Sequence, residues 1–152
     1  MNSNRVVYSG KMGDSNTWFE EYADHTVKVR GSGALVFNIQ YFRISRDKSV
    51  RYNVIVKGPF YRVADSAFLD FEALQNVVLP YTIEKIGDRV FSDCDNLKSV
   101  TMPGNVMYIG KGSFMYSGIE QVNFYDDLPV SESVLQFFKV RGVRMFWRGS
   151  EL

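Results

Sequence analysis

Apolar residues in the middle of this chain recur every 23 positions in several columns at once, and few folds can accept such a repeat. Val63, Ile86 and Ile109 stand 23 residues apart, as do Phe68, Phe91 and Phe114. Val54, Val77 and Val100 keep the same spacing, and so do Val56, Leu79 and Met102. Phe60, Ile83 and Val106 complete the set. One matching column would mean little, whereas five in a common register define a structural unit. A unit of this size cannot bury its own apolar side. Stability therefore requires that units stack and share one continuous core, with each column becoming a ladder of like residues along the stack.

The unit is clearest over residues 86–103, IGDRVFSDCDNLKSVTMP. The preceding copy, residues 63–80, reads VADSAFLDFEALQNVVLP, and the following one, residues 109–124, reads IGKGSFMYSGIEQVNF. The last copy is one residue short between Phe114 and Ile119, so its later columns slip to Val122 and Phe124. Val54 and Val56 followed by Phe60 suggest the tail of a degenerate earlier copy. Within LKSVTM, Leu97, Val100 and Met102 are expected to point inward and Thr101 outward, in the alternation of a strand. Equivalent strands of stacked copies would pair in parallel. Pro80 and Pro103 follow these strands and stop them, since proline offers no ladder donor. Gly87 and Gly110 share one repeat position, where a tight bend is expected.

The motif I-G-x-x-x-F-x-x-C-x-x-L-x-x-V-x-x-P formed by Ile86, Gly87, Phe91, Cys94, Leu97, Val100 and Pro103 resembles the BspA-like leucine-rich repeat. Ile109, Gly110 and Phe114 match it again. Val63, Phe68, Leu74 and Pro80 match with substitutions at the glycine and cysteine positions. The resemblance covers residues 54–124. It implies a right-handed solenoid of a kind found in many bacterial surface proteins, and protein or surface binding rather than chemistry.

A short solenoid must hide the apolar faces of its terminal coils. Upstream, Val27 and Val29 alternate within residues 26–30, and Gly31-Ser32-Gly33 is a hairpin signal. Residues 34–44 read as a long strand with Leu35, Phe37, Ile39 and Tyr41 at period two, residues 46–49 as a turn, and Val50, Tyr52, Val54 and Val56 as a strand entering the first coil. These segments are expected to form an antiparallel sheet that caps the start. Residues 16–24 are ambiguous between helix and strand. Downstream of Phe124 the period is expected to be lost. Ser131 can cap a helix from Glu132 to about Val140, with Val130 and Leu135 at the two positions of a hydrophobic staple. Val134, Leu135 and Phe138 form its apolar face, Gly142 ends it, and Val143, Met145 and Trp147 alternate as a last strand. Such a closure implies that the chain ends there. The expected fold is mainly β: one domain, residues 1–152, with an antiparallel β cap (1–53), a parallel-strand leucine-rich-repeat solenoid (54–124) and a helix–strand cap (125–152).

Composition excludes several functions. A formal net charge of +1 builds no global field for nucleic acid. No run of about 18 apolar residues exists, so no membrane insertion is expected. Residues 1–10 lack the apolar stretch of a secretory signal, which fits a chain that stays inside the cell or one whose leader has been removed. Compartment is left open, with the cell surface or secretion implied by the resemblance alone. A single cysteine, Cys94, forbids an intramolecular disulfide. It occupies a core column aligned with Phe71 and Ser117, far in sequence from the lone histidine, His25, so a buried structural thiol is expected rather than a nucleophile. One histidine also rules out histidine-rich zinc sites, and no metal or cofactor is expected. The carboxylate pairs Glu20–Glu21 and Asp126–Asp127 read as solvated loop charge. Lys139, Arg141, Arg144 and Arg148 interleave with Phe137, Phe138, Phe146 and Trp147, a patch that could bind anionic polymers, but the cap needs those aromatics for its core.

What remains is the outward strand face. Asn76 and Val78, Ser99 and Thr101, and Gln121 and Asn123 are expected in two exposed columns, the binding candidates on a solenoid. The function expected is a non-catalytic module that binds a protein or a surface glycan. The alternative is a structural or scaffold subunit inside the cell with no dedicated ligand site. Imperfect caps would also let copies associate through their terminal coils.

Overall fold

The computed structural model describes residues 4–41 and 47–152. Its strands form two sheets that run along a solenoid. The long sheet has nine strands in the order β1 (Val6–Lys11), β2 (Thr17–Tyr22), β3 (Thr26–Gly31), β5 (Tyr52–Lys57), β7 (Leu74–Val78), β9 (Ser99–Met102), β11 (Gln121–Phe124), β12 (Arg144–Trp147) and β13 (Ser150–Glu151). The short sheet stacks β4 (Gly33–Leu35), β6 (Phe60–Val63), β8 (Lys85–Ile86) and β10 (Tyr108–Ile109). Strands β3 to β12 of the long sheet are parallel, as are all four of the short one. Each coil contributes one strand to each sheet, except the last, where the helix α1 (Glu132–Lys139) replaces the second strand.

The repeat columns become ladders in the expected register. Val54 pairs with Val77 and Val77 with Val100 in the long sheet, and Val63 pairs with Ile86 and Ile86 with Ile109 in the short one. Leu97, Val100 and Met102 are fully buried and Thr101 faces out. The phenylalanine column stacks ring on ring. Centroids of Phe68 and Phe91 lie 5.3 Å apart and those of Phe91 and Phe114 lie 5.2 Å apart. Phe37 extends the stack at one end, 4.8 Å from Phe68, and Phe138 closes it edge-on at the other, 5.5 Å from Phe114. Such pairs add directional attraction to a large area burial.

The repeat glycines lie where coils touch. A Cβ on Gly87 would collide with Asp65, and one on Gly110 with Asp88. Each of these aspartates spans two coils. Asp65 Oδ1 accepts the Asp88 amide proton at 2.8 Å, and Asp88 Oδ1 accepts that of Lys111 at 2.9 Å. Corner amides that would otherwise be orphaned are thereby satisfied from the preceding coil.

The N-terminal side departs from expectation in three places. Gly31-Ser32-Gly33 is no hairpin but a solenoid corner between the two sheets, because β3 pairs in parallel with β5 and β4 with β6. Gly58 repeats this corner one coil on, with φ +118° and no room for a Cβ against the Gly31 carbonyl. Residues 34–44 do not form one long strand. The strand ends at Leu35, and a 3-10 turn covers Ile39–Tyr41. Leu35 and Phe37 bury into the shared core, so stacking on the next coil overrides the period-two signal. Residues 42–44 of that run, and Arg46 of the expected turn, lie outside the described residues. The rest of the turn forms as read, with Asp47 accepting from Ser49. The antiparallel cap does exist, but it is built from β1, β2 and β3. Within the ambiguous residues 16–24, strand β2 covers Thr17–Tyr22 and a turn follows it.

At the other end Ser131 caps α1 and Val134 and Phe138 are buried, as expected. The period, however, is not lost after Phe124. Strand β12 pairs in parallel with β11, matching Met145 to Val122 and Trp147 to Phe124 at a spacing of 23. The helix interrupts the strand pattern only between them. The short hairpin to β13 turns through Arg148 and Gly149, both at positive φ.

Candidate functional site

Strand alternation divides the long sheet into a buried face and an outward face. On the outward face, parallel register lines residues up in rows that cross the strands. One row runs Asn53, Asn76, Ser99, Gln121, Arg144, and its neighbour runs Lys28, Ile55, Val78, Thr101, Asn123, Phe146. All six expected residues therefore lie on this face, each half-buried: Asn76, Ser99 and Gln121 in the first row and Val78, Thr101 and Asn123 in the second. Much of their polarity is spent internally. Asn76 Nδ2 donates to Asn53 Oδ1 at 2.8 Å, Ser99 Oγ donates to Asn76 Oδ1 at 2.6 Å, and Gln121 Nε2 donates to Asn123 Oδ1 at 3.2 Å. This amide ladder braces neighbouring coils.

A third row was not read from sequence. Lys11 pairs with Trp18, Trp18 with Arg30, and Arg30 with Lys57. All four side chains are exposed, while the flanking Phe19, Val29 and Val56 are buried. Lys11 Nζ lies 5.4 Å from the Trp18 ring centroid. The row runs into a hollow of about 430 Å³ lined chiefly by Ile55, Pro59, Val78, Pro80, Tyr81 and Tyr125, with Lys57 and Gly58 at its edge. A shallower depression on the other side shares Lys57 and Gly58 and takes in Trp18 and Arg30. Tyr81 is 69% exposed at the rim. The Tyr125 hydroxyl donates to the Leu79 carbonyl, and burial raises its phenol above the usual value. A sequence signal for the row existed: Val27, Val29 and Arg30 precede Val54, Val56 and Lys57 by 27 residues, a longer copy of the same strand.

The sharper chemical candidates are structural. Cys94 is fully buried, its thiol donates to the Phe68 carbonyl at 3.1 Å, and burial pushes it up to about 12. A thiol held neutral in this way is a poor nucleophile. His25 occupies a positive-φ turn and packs edge-on against Tyr52 at 5.3 Å. The expectation of solvated loop charge holds for the exposed Asp126 and Asp127 but not for Glu20 and Glu21, which lie on β2 with Glu21 buried. The C-terminal basic patch is engaged with its own aromatics: Arg141 sits 3.6 Å from the Phe137 ring centroid and Arg148 4.4 Å from that of Trp147. Arg144 is ion-paired with Glu151 at 2.8 Å. Among the described residues, no group of three or more His, Cys, Asp or Glu is placed to hold a metal ion, and no helix is long and apolar enough to cross a membrane.

A coiled stack with parallel ladders and inter-coil brackets defines a leucine-rich-repeat solenoid. The chain belongs to the BspA type leucine rich repeat family, whose model matches residues 50–139 in six copies. Among solved structures it is similar to a leucine-rich repeat protein from Eubacterium ventriosum, with 15% identity and a TM-score of 0.56 over 88% of this chain. It is also similar to a leucine rich cell surface protein from Faecalibacterium prausnitzii, with 18% identity and a TM-score of 0.39 over 95% of this chain. The chain spans 42% and 40% of the length of those two proteins. No curated protein matches it.

Proposed function

We propose that this chain is a non-catalytic binding module that engages a protein ligand on the outward face of its long sheet. One observation carries the reading: the face runs unbroken across nine strands and holds an apolar hollow rimmed by an exposed tyrosine. Rigid parallel strands present such a face with little ordering cost on binding, and exposed aromatics are the residues that anchor interfaces. The test is selection of phage-displayed random peptides on the folded protein, followed by hydrogen exchange of each complex. Protection concentrated on β5, β7 and the Tyr81 loop supports the reading, and protection confined to the short sheet or the C-terminal helix overturns it.

A second reading, a scaffold with no dedicated ligand site, draws on the amide ladder, because the outward polar groups of the central coils already satisfy one another. Absence of any selected ligand would favour it.

A further inference from the structure

The row Lys11–Trp18–Arg30–Lys57 is unusual for a sheet surface. Arg30 and Lys57 stand directly opposite each other on adjacent strands, both exposed. Like charges so placed repel and destabilise the pair. Neither is relieved by an ion pair, since the pair found among the described residues, Arg144–Glu151, lies at the far end of the molecule. No carboxylate lines the hollow or the adjoining depression. Glu20, in the next row, already stands opposite Lys28. The row therefore concentrates three cations around one indole, on a chain whose overall charge is +1.

We propose that this row and the hollow beside it form a docking groove for an acidic peptide segment that carries an apolar anchor residue. The proposal rests on the binding-module reading above and gives the partner its chemistry. Charge complementarity selects the acidic partner, because carboxylates would relieve the Arg30–Lys57 repulsion. From Lys11 to Lys57 the row crosses three strand gaps, about 14 Å at ~4.8 Å each. An extended peptide covers that distance in roughly four residues. Beyond Lys57 its next side chain meets the hollow of Ile55, Val78, Pro80, Tyr81 and Tyr125.

The hollow favours a peptide over a sugar. Of the three hydroxyls on its lining residues, two are already engaged, Thr82 Oγ1 donating to the Phe60 carbonyl at 2.6 Å and Tyr125 Oη to that of Leu79, and the third belongs to Tyr81 at the exposed rim. A ligand rich in hydroxyl groups would lose water at the floor of the hollow with little replacement, whereas an apolar side chain loses nothing there.

The experiment is selection of phage-displayed random dodecapeptides on the folded chain, followed by anisotropy titration of the fluorescein-labelled winners. The expected winners carry Asp and Glu on one side of a single large apolar residue. Arg30→Glu with Lys57→Glu should weaken them at least about tenfold, and Arg30→Gln with Lys57→Gln should weaken them less. Tyr81→Ala should weaken them several-fold, and rising salt should weaken binding to the wild type more than to the Gln pair. Arg141→Glu, at the other end, should leave affinity unchanged. All these side chains are exposed, and circular dichroism checks that each variant keeps its fold. Neutral or basic winners, or winners indifferent to the charge reversal, overturn the acidic-peptide groove while leaving a binding module in place. A chain that selects no peptide but retains a glycan on an array overturns it in favour of a sugar. A chain that retains neither loses both readings.

Discussion

At the scale of the residue, the column positions carry the stability. Phe91 is fully buried between Phe68 and Phe114. Phe91→Ala should therefore cost about 3–5 kcal/mol in denaturant unfolding, and a cost near zero would remove that column from the core. Thr101→Lys should be nearly neutral in the same measurement, because its side chain points away from the core; collapse of the fold would show that the strand phase is wrong. Cys94 gives a pH signature. Its folded-state thiol is held neutral up to about 12, while in the unfolded chain it ionises near its ordinary value of 9.0. Above pH 9 the unfolded state binds fewer protons than the folded one at this site, so stability falls as pH rises, by up to about 1.4 kcal/mol per pH unit until the folded thiol also ionises. The difference between wild type and Cys94→Ala across that window isolates the effect from tyrosine and lysine titration. Cys94 was legible in the sequence as a core thiol because it sits in a repeat column. Glu21 was not, because its surroundings are made by strands whose partners were unknown.

At the scale of the element, periodicity was readable where copies differed by no more than one residue and kept the repeat motif between their strands; the place of β12 in the period, a full 23 residues after β11, was missed because a helix replaces that motif. The strands β7, β9 and β11 followed from spacing alone, as did the capped helix from Ser131. Ser131→Ala should lower stability by about 1 kcal/mol, read from the thermal or denaturant midpoint, since the hydroxyl accepts the Val134 amide. The first coil escaped because its copy is longer: Val27 to Val54 is 27 residues and Phe37 to Phe68 is 31. A search at 23 passes over both. Its glycines, read locally, signal a hairpin, and only the parallel partner strand turns them into a corner. The candidate site divides in the same way. Asn76, Val78, Ser99, Thr101, Gln121 and Asn123 were placed on the outward face by alternation. The cationic row was hidden because four strands with two kinds of pairing are needed to assemble it.

At the scale of the molecule, the two ends do different work. β1 and β2 extend the long sheet antiparallel to β3, while α1 and β12 cover the last coil. Removing residues 128–152 should expose Phe114, Val122 and Phe124, all of which pack beneath or beside that cap. The shortened chain should then associate, with a mass that rises with concentration in sedimentation. A shortened chain that stays monomeric would show that α1 and β12 are not needed to seal the stack.

The aspartate brackets have a consequence for how such a protein can change length. Asp65 hands a carboxylate oxygen to the backbone of Asp88, and Asp88 hands the same to Lys111. Each coil thus completes its successor through a contact that depends on repeat position and not on coil number. Splicing out or doubling one 23-residue unit leaves every remaining bracket with a partner, and the end pieces still meet the surfaces they fit. Length is therefore a parameter that duplication can set in whole steps, while the cationic row at the N-terminal end, assembled from β1, β2, β3 and β5, is carried along unaltered.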